Sequence, residues 1–260
     1  MIALISDIHS NREALDAVLG VIDRTPGIDK IYCLGDVIGY GPEPEYCVDK
    51  IRERCEICLL GNHDEALFNG AHDFNPYARA AIEFTSKRMR PGLLSTGVKR
   101  ARWDYLKSRP TSHRLGRYLF VHASPRDPVR EYVLATDGLL NPEKLEAIFR
   151  TYEGACFVGH THQPGVFRRN LRFELPPGPA LGTREEEWVN LVEGETVLVN
   201  VGSVGQPRDG DNRACFAILN QENGNMQWIR VPYEFTKTMD KIRATAGLDE
   251  ILARRLAIGR

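Results

Sequence analysis

The chain has 260 residues, of which 42% are hydrophobic and 27% charged, with a formal net charge of -1. That balance excludes collagen-like and largely disordered chains and suits one domain over residues 1–260 with a full core. It gives no overall basic field for nucleic acid or a membrane surface, so such a partner would need a local patch.

One segment is locally basic. Between Lys87 and Arg117 ten Lys or Arg stand against the single acid Asp104, while acids gather at Glu185, Glu186, Glu187, Glu193 and Glu195. Solvated helix faces explain such a run more simply than a dedicated surface, so nucleic acid is not the favoured partner. The opening stretch MIALISDIHSN has no basic leader, and its apolar run is too short for a signal peptide or a membrane span. A cytoplasmic location without a membrane partner is the expectation. Six cysteines then read as reduced thiols, and Cys55-x-x-Cys58 lacks a second pair at zinc-ribbon spacing.

Short apolar runs at 2–6, 30–35, 57–61, 118–123 and 155–160 read as strands. Between the first two, Ala14, Leu15, Val18, Leu19 and Ile22 recur at helical spacing behind an Asn11 cap. Further helices are expected over 43–54, opened by Pro42 and Pro44, and over 76–107 with an interruption at Pro91-Gly92. Another is expected over 141–152, with an Asn141 cap and Pro142 in its first turn. This alternation predicts βαβ units and a mostly parallel sheet. After His162 the runs GVFRRN, EWVNLVEG, TVLVNVGS, CFAILN and MQWIRVPY predict a second, largely antiparallel sheet, with turns at Asn223-Gly224 and Pro176 to Pro179. Helices near 235–246 and 248–258 close the chain.

Each early strand-like run ends in residue types that bind metals: Asp7 and His9, then Asp36, then Asn62 and His63, then His122, then His160 and His162. The carboxyl ends of parallel strands lie along one edge, where open α/β sheets place their ligands. Any one of these signals alone reads as a cap or a turn. Five in succession point to one site. Two divalent ions about 3.5–4 Å apart need a carboxylate that bridges them, with imidazoles and oxygen donors filling the other positions. Asp36 is the natural bridge, with Asp7, His9 and His162 on one ion and Asn62, His122 and His160 on the other. This mixed set suits Mn, Fe, Zn or Co better than Ca. A serine nucleophile is not supported, because Val201 stands where the G-x-S-x-G pattern around Ser203 needs glycine.

The order of motifs resembles the calcineurin-like metallophosphoesterases, whose pattern is D-x-H, G-D, G-N-H-D or G-N-H-E, H, and G-H-x-H. Here these are Asp7-Ile8-His9, Gly35-Asp36, Gly61-Asn62-His63-Asp64, His122 and Gly159-His160-Thr161-His162. The resemblance implies an α/β fold, a four-layer α-β-β-α sandwich of two mixed sheets flanked by helices. It also implies the metal assignments above, and hydrolysis of phosphate esters by a metal-bridging hydroxide. His63 would be the catalytic histidine, giving a hydrogen bond or a proton to the phosphate or leaving oxygen, and Asp64 would orient His63 or its loop.

Protein serine/threonine phosphatases and diadenosine-tetraphosphatases carry an arginine shortly after the G-D motif. Here Gly39 and Tyr40 replace the Asp or Asn and the arginine of that motif. A small phosphodiester, a nucleotide among the candidates, is therefore favoured over those two substrates. A non-catalytic metal-binding scaffold of the same fold is the contrasting reading, disfavoured because all seven ligands and His63 are present. Tyr40, Arg126 and Arg208 are candidates for holding substrate, the arginines by gripping phosphate, while Arg130 reads as a surface residue. The terminal helices and strand-rich second half offer a surface for a homodimer.

Overall fold

The structure is a computed structural model that describes residues 1–177 and 187–260. Gly178 and Pro179 of the expected turn, and the acidic Glu185 and Glu186, lie outside the described residues. The first half contains β1 Ile2–Ile5, α1 Arg12–Arg24, β2 Lys30–Cys33, α2 Pro44–Arg54, β3 Ile57–Cys58, α3 Asn62–Asn69, α4 Pro76–Met89, α5 Gly97–Lys107, β4 Ser112–Leu115 and β5 Tyr118–Val121. It is followed by α6 Asp137–Leu140, α7 Pro142–Phe149, β6 Ala155–Val158, β7 Gly165–Phe167, β8 Phe173–Glu174, β9 Val189–Asn190, β10 Val197–Asn200, β11 Ala214–Leu219, β12 Asn225–Val231, α8 Phe235–Arg243 and α9 Glu250–Ile258.

The described strands form two six-stranded sheets, in the orders β3-β2-β1-β11-β12-β9 and β4-β5-β6-β10-β7-β8. In the first, β1, β2 and β3 run parallel; in the second, β5, β6 and β10 do. The remaining neighbours pair antiparallel. The fold is thus two mixed sheets with flanking helices, as the family resemblance implied. The division read from hydrophobic runs alone is corrected: the early strands are shared between both sheets, and so are the late ones. An apolar run records burial on both faces and does not record which strand it bonds.

Alternation along each strand builds the layers. Ile2 and Leu4 of β1, Ala155 and Phe157 of β6, and Cys215, Ala217 and Leu219 of β11 meet between the sheets. Their neighbours Ala3 and Ile5 face the other way, joining Leu15, Val18 and Ile22 of α1 and Val48 and Ile51 of α2. Cys156 and Val158 turn instead to Leu145, Ile148 and Phe149 of α7.

Local signals behave unevenly. Asn11 caps α1, its Oδ1 accepting from Ala14 N–H at 3.2 Å. The long helical stretch breaks at Pro91-Gly92 into α4 and α5, each with its own cap, Asn75 and Thr96. Asn141 stands at the N-cap of α7 as expected but makes no side-chain cap bond there, its amide donating instead to Asp137 Oδ1 at 2.8 Å. Neither α3 nor the β4–β5 hairpin, which turns at Gly116 with φ +56°, was expected from the sequence. In the basic segment, Arg88 binds Glu45 at 2.9 Å and Arg102 binds Asp49 at 2.8 Å, which docks α4 and α5 on α2. All six cysteines are free. No described helix is long and apolar enough to cross a membrane.

Candidate metal centre

The strands of both sheets stop just short of the candidate ligands, because the next residues leave extended geometry. Asp7, His9, Asp36, His160 and His162 have φ of 54°, 49°, 53°, 65° and 59°. Non-glycine residues pay about 1–3 kcal/mol each for such conformations, so the surroundings must impose them. They do so partly by bonding loop to loop: Asp7 N–H donates to Gly35 O and His9 N–H to Asp36 O, both at 3.0 Å.

The structure brings all seven candidate ligands together. His162 Nε2 lies 3.2 Å from Asp7 Oδ1 and 3.1 Å from His9 Nε2. His122 Nε2 lies 3.4 Å from Asp36 Oδ2, 3.1 Å from Asn62 Oδ1 and 3.2 Å from His160 Nδ1. Asp36 Oδ2 stands between the two groups, 3.8 Å from His9 Nε2. All seven side chains are buried.

The outward nitrogen of each ring has a backbone carbonyl: Ile38 O for His9 at 3.2 Å, Leu34 O for His122 at 3.1 Å, Arg130 O for His160 at 3.2 Å and Gln206 O for His162 at 2.5 Å. A carbonyl only accepts, so these nitrogens carry the hydrogens, and the inward ones of His9, His160 and His162 keep their lone pairs. The lone pairs of His9 and His162, facing one another at 3.1 Å, repel unless a cation lies between them. The donor set therefore fits divalent metal, in two groups joined at Asp36.

The charges agree. Burial drives His9 well below its usual range and His160 down to about 3, with neighbouring rings adding to the effect. At His162 burial and then the Arg208 charge outweigh Asp7, again favouring the neutral ring. Burial would raise Asp36, but the adjacent His122 and His63 hold it well below the carboxylate range. Burial would likewise lower His122, yet Asp36 prevails and lifts it to about 9. Without metal, His122 thus carries a proton at neutral pH that a metal ion must displace. Loading the stripped protein at pH 7 is expected to release roughly one proton, and metal affinity to rise with pH until about 9. Calorimetry in buffers of different ionisation enthalpy measures this, and a release of zero would contradict it.

The remaining candidates divide. His63 starts α3 on the rim of the cluster, its ring 4.7 Å from that of His9 and 4.6 Å from that of Tyr40. Its Nδ1 is buried without a partner, and burial lowers its pKa to about 4. Asp64 does not bond His63. Its carboxylate accepts N–H groups of Val37, Ile38 and Gly61 at 3.2–3.3 Å, tying the Asp36 loop to the start of α3. Burial and then Asp36 raise it to about 7. Arg208 reaches Tyr40 Oη at 3.3 Å and Gln206 Oε1 at 2.9 Å, while its Nε is buried and unpartnered. The Arg126 guanidinium is held by Glu131. Arg130 pairs with Glu65 and Asp73 on the surface.

Two glycines let the loops close. A Cβ at Gly61 would strike Asp36 Oδ1, and one at Gly159 would strike Ser6 Oγ and Asp7 Oδ2. Gly159→Ala is expected to cost about 1–3 kcal/mol, as overpacking does, and to weaken metal binding. Chemical denaturation and metal titration measure both, and a neutral result would mean that the loops have slack. Sequence reasoning missed the carbonyl partners Leu34, Ile38 and Gln206. It also missed Tyr132, whose ring centroid lies 3.9 Å from that of His160.

Two mixed sheets with an Asp/His cluster at their loop edge make a candidate metal site. The chain belongs to the calcineurin-like phosphoesterase superfamily, whose domain matches residues 1–224. An uncharacterized protein of Methanocaldococcus jannaschii is 36% identical, covering 100% of this chain and 98% of that one. The crystal structure of a metallophosphoesterase from Sphaerobacter thermophilus superposes with a TM-score of 0.81 at 34% identity, covering 100% of this chain and 98% of that one. A symmetrical bis(5'-nucleosyl)-tetraphosphatase of Paracidovorax citrulli is 33% identical over 164 residues, 56% of this chain and 55% of that protein.

Proposed function

We propose that the chain hydrolyses small phosphate esters, phosphodiesters in particular, using two divalent metal ions. Asp7, His9 and His162 would hold one, Asn62, His122 and His160 the other, with Asp36 shared. The observation that carries this reading is the inward facing of four imidazole nitrogens around Asp36, each ring fixed from behind by a carbonyl. Bound there, divalent ions lower the pKa of water and neutralise phosphate charge.

The chain's own groups do the rest. His63 has a ring nitrogen within 4.8 Å of ligand atoms of His9 and Asp36, close enough to reach a phosphate oxygen held over the cluster. As a neutral ring it donates a hydrogen bond. An anionic substrate raises its pKa from about 4, so that more of the ring carries a proton for the leaving oxygen once the ester is seated. Asp64 keeps the Asp36 loop and α3 in register.

Arg208, with an unpartnered Nε on the same rim, supplies a positive group for a substrate phosphate oxygen. Arg208→Gln is expected to raise KM about tenfold with kcat nearly unchanged. Unchanged kinetics across several esters would return Arg208 to holding Tyr40 and Gln206.

The tetraphosphatase relative supports a nucleotide-like ester, whereas Gly39 and Tyr40 replace the motif shared by that class and the protein phosphatases. A panel of a chromogenic diester, its monoester, a dinucleoside tetraphosphate and a phosphoserine peptide separates these classes. Preference for the diester supports the proposal. Cleavage confined to the tetraphosphate or the peptide would replace it.

A further inference from the structure

Tyr132 places its ring over a candidate metal ligand while about half of the residue stays open to water. It stands two residues after Arg130, whose carbonyl accepts from His160 at 3.2 Å, and its own carbonyl accepts from Lys144 Nζ at 2.6 Å, so the loop backbone is anchored on both sides. One face of the ring covers His160, with centroids 3.9 Å apart and planes inclined at 37°. His160 is 3% exposed beneath it, yet Tyr132 itself is 48% exposed. An aromatic ring is thus held open to water one imidazole away from the place where phosphate would sit.

We infer that Tyr132 is a substrate-binding residue, a platform on which the centre stacks a flat aromatic group of the ester, a nucleobase being the class that fits. The inference rests on the phosphoesterase reading above. Aromatic platforms bind bases through their π-faces with little dependence on the base, and they leave the phosphate to charged groups. Here Tyr132 and Arg208 provide one of each. Covering His160 is the competing role, and it predicts damage to metal binding rather than to base recognition.

The test is equilibrium binding to metal-loaded protein, with AMP and inorganic phosphate as probes, for the natural chain, Tyr132→Phe and Tyr132→Ala. AMP is expected to bind at least about tenfold more tightly than phosphate, Phe to keep that advantage and Ala to remove most of it. Phosphate affinity and metal content should be unchanged throughout. Equal binding of AMP and phosphate by the natural chain would overturn the platform. So would parallel loss of both probes and of metal in Tyr132→Ala, or loss of the AMP advantage in Tyr132→Phe, which would assign the effect to the hydroxyl. The outcome is separable from catalysis: an AMP advantage that depends on Tyr132 in a protein that cleaves no ester would remove the hydrolase reading and keep the platform. Turnover without any AMP advantage would do the reverse.

Discussion

Asp36→Asn is expected to lower metal affinity by at least about a hundredfold and turnover by about a thousandfold, with the fold retained. Asparagine is close in shape, and its Oδ1 can still accept the His63 N–H that Asp36 Oδ1 takes at 2.8 Å. What it lacks is the negative charge that two cations share, and changes even one shell further out cost 10–100-fold in affinity. The variant has a second signature. Asp36 is the group that lifts His122 to about 9, so without it His122 falls toward the neutral ring that burial favours. Metal loading at pH 7 should then release little or no proton. Metal analysis, steady-state kinetics and thermal melting measure the three effects. A variant that keeps its metal and loses only turnover would move the shared position to another carboxylate.

His63→Ala is expected to divide the functions differently. The ring lies beside the cluster, within 4.8 Å of ligand atoms of His9 and Asp36, but its nitrogen Nδ1 is unpartnered and its backbone N–H, which anchors Asp36, survives the substitution. Metal content should stay near that of the natural chain. Turnover should fall by about 10²–10⁴, the usual value of a positioned proton donor. The loss should be greatest for esters with poor leaving groups, which most need a proton. His63→Asn serves as a control, since it keeps a polar group in the space between Tyr40 and Phe74. Metal loss matching that of Asp36→Asn would show His63 to be a ligand.

How much of this was legible depended on how local each signal is. The gathering of the seven candidate ligands could be read because each follows an apolar run within a few residues, and the chain order of the motifs survives folding. The sharing of strands between sheets could not, since β10 bonds β6 and β11 bonds β1 across long separations that periodicity does not encode. The start of α3 was present in the sequence as Asp64, three residues into the helix beyond Gly61, accepting the Gly61 N–H at 3.2 Å as an acidic group in a first helical turn can. Reading NHD only as the end of a strand hid it. The Arg126–Glu131 pair was missed because the carboxylate five residues on was overlooked as a partner. Tyr132, Gln206 and the carbonyls behind the imidazoles are set by loops meeting in space, and no spacing rule reports that.

The central claim is tested most directly by stripping the protein with a chelator and assaying a chromogenic phosphodiester while Mn, Zn, Co or Fe is titrated back, with bound metal counted at each point. The account predicts no turnover in the stripped protein, recovery that follows metal loading and saturates near two ions per chain, and a reloaded His63→Ala that binds the same metal without recovering. Turnover that survives complete removal of metal, or a reloaded His63→Ala as active as the natural chain, would contradict it.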